Sequence, residues 1–174
     1  MILSLALTAP QPSQAPVTLA SLLDDPGLTP RRLEARVEDF DYEQHPGIRS
    51  PEVFLSLGRG DCDDFACLAD YVLRRRHLTT KLVHVRLVGQ VAHAVCYVDE
   101  SRAYLDYNKR RYLFKLTRCG PRLRDIAEEV ADSFDESWTS ASEYTYDYET
   151  ERKRFVRTVV KIYPPEDDPD AERN

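Results

Sequence analysis

The chain has 174 residues, a length for which one domain with short extensions is the expected organisation. Hydrophobic residues make up 42% and charged residues 31%, a balance that excludes collagen-like and wholly disordered proteins. Asp and Glu outnumber Lys and Arg by 30 to 24, so the formal charge of -6 has the wrong sign for a protein that neutralises phosphates. We therefore expect no nucleic-acid partner.

The first 16 residues are predicted to be a disordered lead-in or a weak signal segment, because residues 9–16 (APQPSQAP) are rich in Pro and Gln. The apolar run over residues 2–9 is far shorter than the ~20 residues that span a bilayer, so no membrane span is expected. The same run lacks the basic start of an export signal. The compartment stays open, with the cytoplasm preferred and export the alternative if residues 1–9 belong to a signal.

Two short helices are predicted from capping signals. Thr29 and Ser50 each precede a proline, which places a capping side chain before the residue best suited to the first helical position. These signals predict one helix over residues 30–39 and another from residue 51 to Gly58, where glycine favours termination. A third helix, over residues 62–77, has acidic residues in its first turn and three arginines in its last, which complements the helix dipole.

Beyond the third helix the pattern becomes alternating or β-branched, which predicts an antiparallel meander. The expected strands are 81–88, 91–98, 103–108 and 111–116, followed by a helix marked by Leu123 to Phe134 and a hairpin of 143–149 with 154–163. Helices followed by strands, without regular βαβ alternation, indicate an α+β fold with N-terminal helices packed on an antiparallel sheet. The domain is expected to cover residues 17–163, and residues 164–174 to form an acidic disordered tail.

Cys62 is the first candidate for chemistry. It shares the inward stripe of the third helix with Phe65 and Ala69, and it lies in the first turn, where free N–H groups and the helix dipole favour a thiolate. Those N–H groups, the backbone N–H of Cys62 above all, could also hold an oxyanion. The neighbouring aspartates at 61, 63 and 64 oppose a thiolate unless their charges are paired or turned away.

His93 and Asp106 are placed near each other by strand pairing. Pairing Val98 with Ala103 makes them diagonal, and shifting the register by one residue on each strand makes them directly opposite. In both registers the two side chains share a sheet face, and we expect the helix face that carries Cys62 to pack onto it. A nucleophile, a base and an acid that orients the base then follow in chain order.

The segments SPEVFLSLGRGDCDDFACLADYVLRRR, AHAVCYV and AYLDYN resemble the core of the transglutaminase-like cysteine peptidase superfamily, and most closely its bacterial transglutaminase-like cysteine proteinase branch. The resemblance covers about residues 50–108. It implies a papain-like α+β core with Cys62 as the nucleophile, His93 as the general base and acid, and Asp106 as the residue that holds the imidazole.

The resemblance implies a cysteine hydrolase, a peptidase or amidase, that forms a thioester with a protein or peptide substrate. Two alternatives stay open: transglutaminase-type acyl transfer, and a binding module of the same fold that has lost activity. No cofactor is expected. A zinc site is disfavoured because Cys62 and Cys67 diverge on the helix and His93 and Cys96 lie on opposite strand faces.

The remaining candidates are predicted to be structural. Cys67, Cys96 and Cys119 are expected to pack rather than react, and a stripe of tyrosines at 144, 146 and 148 is expected to form one strand face. The acidic residues at 61, 63 and 64 could bind a hard cation, but they are interpreted as partners of the helix dipole. Gln90, beside the His93 strand, is a further hypothesis for a side-chain oxyanion donor.

Overall fold

A computed structural model describes residues 16–89, 92–109 and 116–161. The predicted lead-in before residue 16, the acidic tail over 164–174, Gln90 and all but the last residue of the predicted strand 111–116 lie outside these ranges. Within the described ranges, no helix combines the length and the apolar character that crossing a membrane requires.

Five helices and eight strands make up the described fold. The helices are α1 (Leu19–Leu23), α2 (Pro30–Arg36), α3 (Pro51–Leu57), α4 (Cys62–Arg75) and α5 (Leu123–Ser133). The strands are β1 (Asp41–Tyr42), β2 (Arg59–Gly60), β3 (Thr80–Leu87), β4 (His93–Val98), β5 (Ala103–Leu105), β6 (Thr117–Arg118), β7 (Trp138–Asp147) and β8 (Arg152–Val160). A short 3-10 turn covers Tyr107–Lys109.

The α+β prediction is confirmed. Six strands form one sheet in the order β6-β5-β4-β3-β7-β8, and every neighbouring pair is antiparallel. The predicted capping signals are also confirmed: Thr29 and Ser50 accept hydrogen bonds at the starts of α2 and α3, and Gly58 ends α3 in the left-handed conformation.

The closing hairpin is longer than predicted. β7 starts at Trp138, five residues before the predicted start, and its buried residues Trp138, Ala141 and Tyr144 recur every three positions instead of every two. Register shifts at Arg86/Leu87 and at Glu143/Tyr144 mark bulges, which break the alternation that identifies a strand in a sequence.

The sheet separates two hydrophobic cores. Leu82, Ala94, Cys96 and Val98 face the core that contains the helices α1 to α4. The alternate residues of β3 and β4 face a second core with α5, and they include Val83, Val85, Val95 and Tyr97. Because both faces of β4 are covered, all six of its residues are buried, which makes it the central strand of the domain.

Gly60 allows the chain to enter α4 from β2. A Cβ atom at this position would lie 2.6 Å from Cδ2 of the fully buried Phe54 and would also collide with the Asp64 carboxylate.

We expect Gly60→Ala to lower the free energy of unfolding by roughly 1–3 kcal/mol, since a packed core resists an added methyl group. Denaturant titration measures this loss. Gly27→Ala is the matched control, because its Cβ would collide with the guanidinium of the exposed Arg32, which can move, and would lie at an ordinary contact distance of 3.5 Å from Asp25 Oδ1. An equal loss in both variants would contradict the prediction.

Candidate active site

Cys62 is the first residue of α4, and its surroundings follow from the capping of that helix. The Asp61 carboxylate accepts hydrogen bonds from the N–H groups of Asp63 (3.1 Å) and Asp64 (3.3 Å), while Asp64 Oδ2 accepts the Asp61 N–H at 3.1 Å. This capping box satisfies the second and third N–H groups of the helix. Among the described residues no acceptor is found for the Cys62 N–H, which leaves a backbone donor beside the thiol.

The charge of Asp63 is paired away from Cys62. Its carboxylate accepts hydrogen bonds from Tyr144 Oη at 3.0 Å and from Lys153 Nζ at 2.9 Å and 3.0 Å. Both partners come from the closing hairpin, so β7 and β8 neutralise the acid that follows the candidate nucleophile in sequence. This pairing resolves part of the conflict between the aspartates and a thiolate.

Asp64 is paired on the opposite side, in the segment before α3. Its Oδ2 lies 2.7 Å from His45 Nε2, and its Oδ1 accepts the Arg49 N–H at 2.7 Å. Burial of the His45 ring lowers its pKa, but the hydrogen bonds and charge of Asp64 and the Pro46 carbonyl outweigh this and raise it overall. Asp64 is therefore buried with partners on both oxygens.

His93 and Asp106 form a buried hydrogen-bonded pair. Val98 faces Ala103, which is the first of the two predicted registers, and His93 Nε2 lies 2.9 Å from Asp106 Oδ1. A carboxylate can only accept, so Nε2 carries the proton and donates it. Asp106 Oδ1 also accepts the Asn108 N–H at 2.9 Å. Burial raises the pKa of Asp106, but His93 and the Asn108 N–H lower it more, so the carboxyl is held ionised.

His93 is held as an imidazolium by its two neighbours. Burial lowers its pKa, but the charge and hydrogen bond of Asp106, and then the hydrogen bond and charge of Cys62, raise it to about 10. Because Nε2 is bound to Asp106, Nδ1 is the nitrogen left for the thiol. The structure thus brings Cys62, His93 and Asp106 together.

The three side chains meet at the end of the sheet rather than on its face. Strand alternation assigns His93 to the face of Val95 and Tyr97, which α5 covers, and its ring lies 4.9 Å from that of Phe134. The expectation that the Cys62 face of α4 packs onto the His93 face is therefore wrong, because α4 packs on the opposite one. Cys62 and His93 still meet, since each is the first residue of its element and both line one cleft.

The cleft has a volume of about 360 Å³. Its lining residues are Tyr42, Gln44, Cys62, Gly89, Ala92, His93, Asn108 and Phe134. Sequence reasoning missed Tyr42, Gln44, Asn108 and Phe134 as cleft residues. Tyr42 carried the clearest signal: it is a large aromatic residue in a polar segment, and it is half exposed. Nothing local marked Gln44, which reaches the cleft through the parallel pairing of β1 with β2.

The other cysteines lie in different environments. Cys67 and Cys96 are buried in the core under α4, and burial raises the pKa of both thiols. Cys119 is half-buried, and burial followed by the charges of Glu129 and Asp125 raises its pKa to about 11. These thiols are held protonated at neutral pH.

One group in the described ranges could hold a cation. His45, Asp61 and Asp64 each offer a ligand atom, and these atoms lie within 4.8 Å of one another. The acids at 61, 63 and 64, interpreted from the sequence as partners of the helix dipole, do not all belong to this group, because Asp63 is bound to Lys153. Hydrogen bonds within the protein already use the Asp64 oxygens and one Asp61 oxygen, so the cluster is explained without an ion.

A family model described as the transglutaminase-like superfamily matches residues 19–110, which include all three members of the site. No curated protein sequence matches the chain. Solved structures of LapG from Legionella pneumophila, EGTA-treated and calcium-bound, align with a TM-score of 0.46 and 20% identity. The alignments cover 70% of this chain and 66% and 68% of the LapG chains respectively.

Proposed function

This chain belongs to the transglutaminase-like superfamily, and we propose that it is a cysteine hydrolase that cleaves a peptide or amide bond through Cys62, His93 and Asp106. One observation carries the proposal. A buried imidazole is hydrogen-bonded at 2.9 Å to a buried carboxylate, and it interacts with a thiol at a helix N-terminus in the same cleft. This combination is the arrangement that activates a cysteine nucleophile.

The first half of the reaction forms an acyl-enzyme. In the resting site Nδ1 of His93 already carries the proton of the Cys62 thiol, and Asp106 stabilises this imidazolium. The thiolate attacks the substrate carbonyl carbon, and the carbonyl π electrons move onto oxygen to give a tetrahedral oxyanion. The oxyanion collapses, the C–N bond breaks, and His93 returns its proton to the leaving amine. The product is a thioester on Cys62.

The oxyanion requires hydrogen-bond donors in the cleft. The Cys62 N–H lies beside the thiol and has no acceptor among the described residues, so it serves as the first donor. Gln44 lines the same cleft and carries an amide NH₂ group, so we assign it as the second donor. The hypothesis for Gln90 stays a prediction, because that residue lies outside the described residues.

The second half of the reaction regenerates the thiolate and the imidazolium. His93 takes a proton from water, the hydroxide attacks the thioester carbonyl, and the C–S bond breaks to release a carboxylic acid. If an amine replaces water, the same thioester gives acyl transfer. The cleft is open to solvent along exposed residues such as Tyr42 and Gln44, which favours water as the acceptor and hydrolysis as the outcome.

The substrate is proposed to be a protein or peptide. Four uncharged side chains with polar or aromatic groups surround the reacting pair: Tyr42, Gln44, Asn108 and Phe134. Amide and hydroxyl groups suit the backbone of an extended peptide, and the two aromatic rings suit small or apolar side chains beside the scissile bond.

Selective alkylation tests the proposal. Iodoacetamide is expected to modify Cys62 well below pH 8, because the thiolate is paired with the His93 imidazolium, while Cys67, Cys96 and Cys119 stay unmodified. Mass spectrometry of peptides from protein treated for short times at pH 5 to 9 measures each rate. A Cys62 that reacts no faster than Cys119 would overturn the hydrolase proposal and favour an inactive binding module.

A further inference from the structure

Glu34 is a buried acid on α2 that takes no part in the proposed catalytic steps. Its side chain is 1% exposed, although the other buried residues of this helix are the apolar Pro30 and Leu33. Its Oε1 accepts the backbone N–H of Asp106 at 3.3 Å. Glu34 therefore contacts the segment that carries the acid of the proposed triad.

Glu34 and Asp106 each have one buried carboxyl oxygen that lacks a partner within the described ranges. Among the described residues, neither Glu34 Oε2 nor Asp106 Oδ2 has a hydrogen-bond partner, although both atoms are buried. A buried polar atom without a partner costs stability, so such atoms normally find one. Two carboxyl oxygens can bond to each other only when one of them carries a proton.

The charges around Glu34 decide which acid carries that proton. Asp106 is ionised, because His93 and the Asn108 N–H hold its charge. Burial raises the pKa of Glu34, the Asp106 N–H lowers it, the Asp106 charge raises it, and Lys109 and Arg31 lower it, with a net pKa of about 7. The helix α4, which also packs against α2, contributes apolar side chains such as Phe65 and Ala69 to their shared core.

We propose that Glu34 is a positioning residue of the site, which acts as a protonated acid behind Asp106. Its Oε1 accepts the Asp106 N–H, and its Oε2–H donates to Asp106 Oδ2. Both bonds hold the Asp106 carboxylate so that Oδ1 faces His93. The positioning role rests on the proposed function, whereas the protonation of Glu34 does not.

Because the pKa of Glu34 is raised, its proposed bonds to Asp106 depend on pH in the neutral range. Below about pH 7 Glu34 is neutral and both bonds exist. As the pH rises through this value, Glu34 ionises, loses the bond to Asp106 Oδ2 and repels its carboxylate. The His93–Asp106 pair is therefore best held on the acid side of this transition.

The protonation of Glu34 can be tested by isotope-edited infrared spectroscopy. A carbonyl band of a protonated carboxylic acid is expected at pH 5.5, to disappear as the pH passes about 7. The band should be absent in Glu34→Gln and unchanged in Glu52→Gln, the matched control on the exposed surface of α3. Exposed glutamates are already ionised at pH 5.5. A spectrum without the Glu34 band at pH 5.5 would overturn the proposal.

The positioning role can be tested with two substitutions of Glu34. Glu34→Gln keeps an acceptor for the Asp106 N–H and a permanent donor for Oδ2, so the downfield proton resonance of His93 Nε2–H should persist, with Cys62 alkylation within about twofold of wild type. Glu34→Leu removes both bonds, and we expect that resonance to broaden or vanish and alkylation at pH 6.5 to slow roughly tenfold. A Leu variant indistinguishable from wild type would refute the role.

The outcomes separate this inference from the proposed function. An unreactive Cys62 in the wild-type protein refutes the hydrolase mechanism, while the infrared band and the His93 resonance still decide the state of Glu34. If Glu34→Leu fails to fold, Glu34→Gln decides alone. We expect wild-type alkylation to decline above pH 7 as Glu34 ionises. Glu34→Gln should lack this decline, because its amide cannot ionise, and an unchanged decline counts against the proposal.

Discussion

A Cys62→Ala variant is expected to lose peptide or amide hydrolysis by a factor on the order of 10⁴, because removing the nucleophile leaves only binding and the oxyanion donors. A peptide library screened with the wild-type protein supplies the substrate, and the turnover of the best peptide is then compared. The loss should appear in kcat, since the thiolate is needed for the chemical step rather than for binding.

Cys119→Ala is the control for this variant. Cys119 is half-buried and packs against the opposite core, so its removal should leave turnover within about twofold of the wild type. A Cys62→Ala protein that hydrolyses the peptide at the wild-type rate would refute both hydrolysis and acyl transfer at this site.

An Asp106→Ala variant is expected to slow Cys62 alkylation at pH 6.5 by roughly 100-fold, the difference between an ionised thiol and an ordinary cysteine at that pH. In the wild type Asp106 is the largest of the causes that raise the pKa of His93 to about 10, so the imidazolium persists from acidic pH up to that value. Without Asp106, burial remains and lowers the pKa of His93. At pH 6.5 the ring is then largely neutral, and the thiolate loses its partner.

Asp106→Asn separates charge from hydrogen bonding in the same experiment. The amide oxygen can still accept the His93 Nε2–H, but it carries no charge, so we expect an intermediate rate. Asp99→Ala is the matched control at the other end of β4, where Asp99 pairs with Lys81. If Asp106→Ala and Asp99→Ala gave the same alkylation profile, Asp106 would have no part in activating the thiol.

Local signals predicted much of the fold. The capping residues Thr29, Ser50 and Asp61 mark helix starts because each works through bonds to N–H groups within three residues of itself. The helix α1 was missed, although Thr18 and Ser21 form a capping box, since it is only five residues long and offers little periodicity. β7 was predicted too short because its bulges break the alternation.

The parts of the site that depend on strand pairing could be predicted from the sequence, but the parts that depend on how α4 packs on the sheet could not. The short connection between β4 and β5 restricts the register, and this restriction places His93 near Asp106. The face of the sheet that α4 covers depends on distant contacts, and that prediction was wrong. Glu34 had a readable signal, since its position between Leu33 and Val37 places a charged residue on an apolar helix stripe. Its contact with Asp106 joins residues 72 positions apart and could not be inferred.

Because the site lies at the end of the sheet, its geometry depends on the packing on both sheet faces. Cys62 is anchored in the helical core on one face, and the His93 ring rests on Phe134 at the end of the helix that covers the other. A loosening of either layer would separate sulfur from imidazole by more than a hydrogen bond allows. We therefore expect the reactivity of the Cys62 thiol to fall when either layer loosens, before the backbone unfolds.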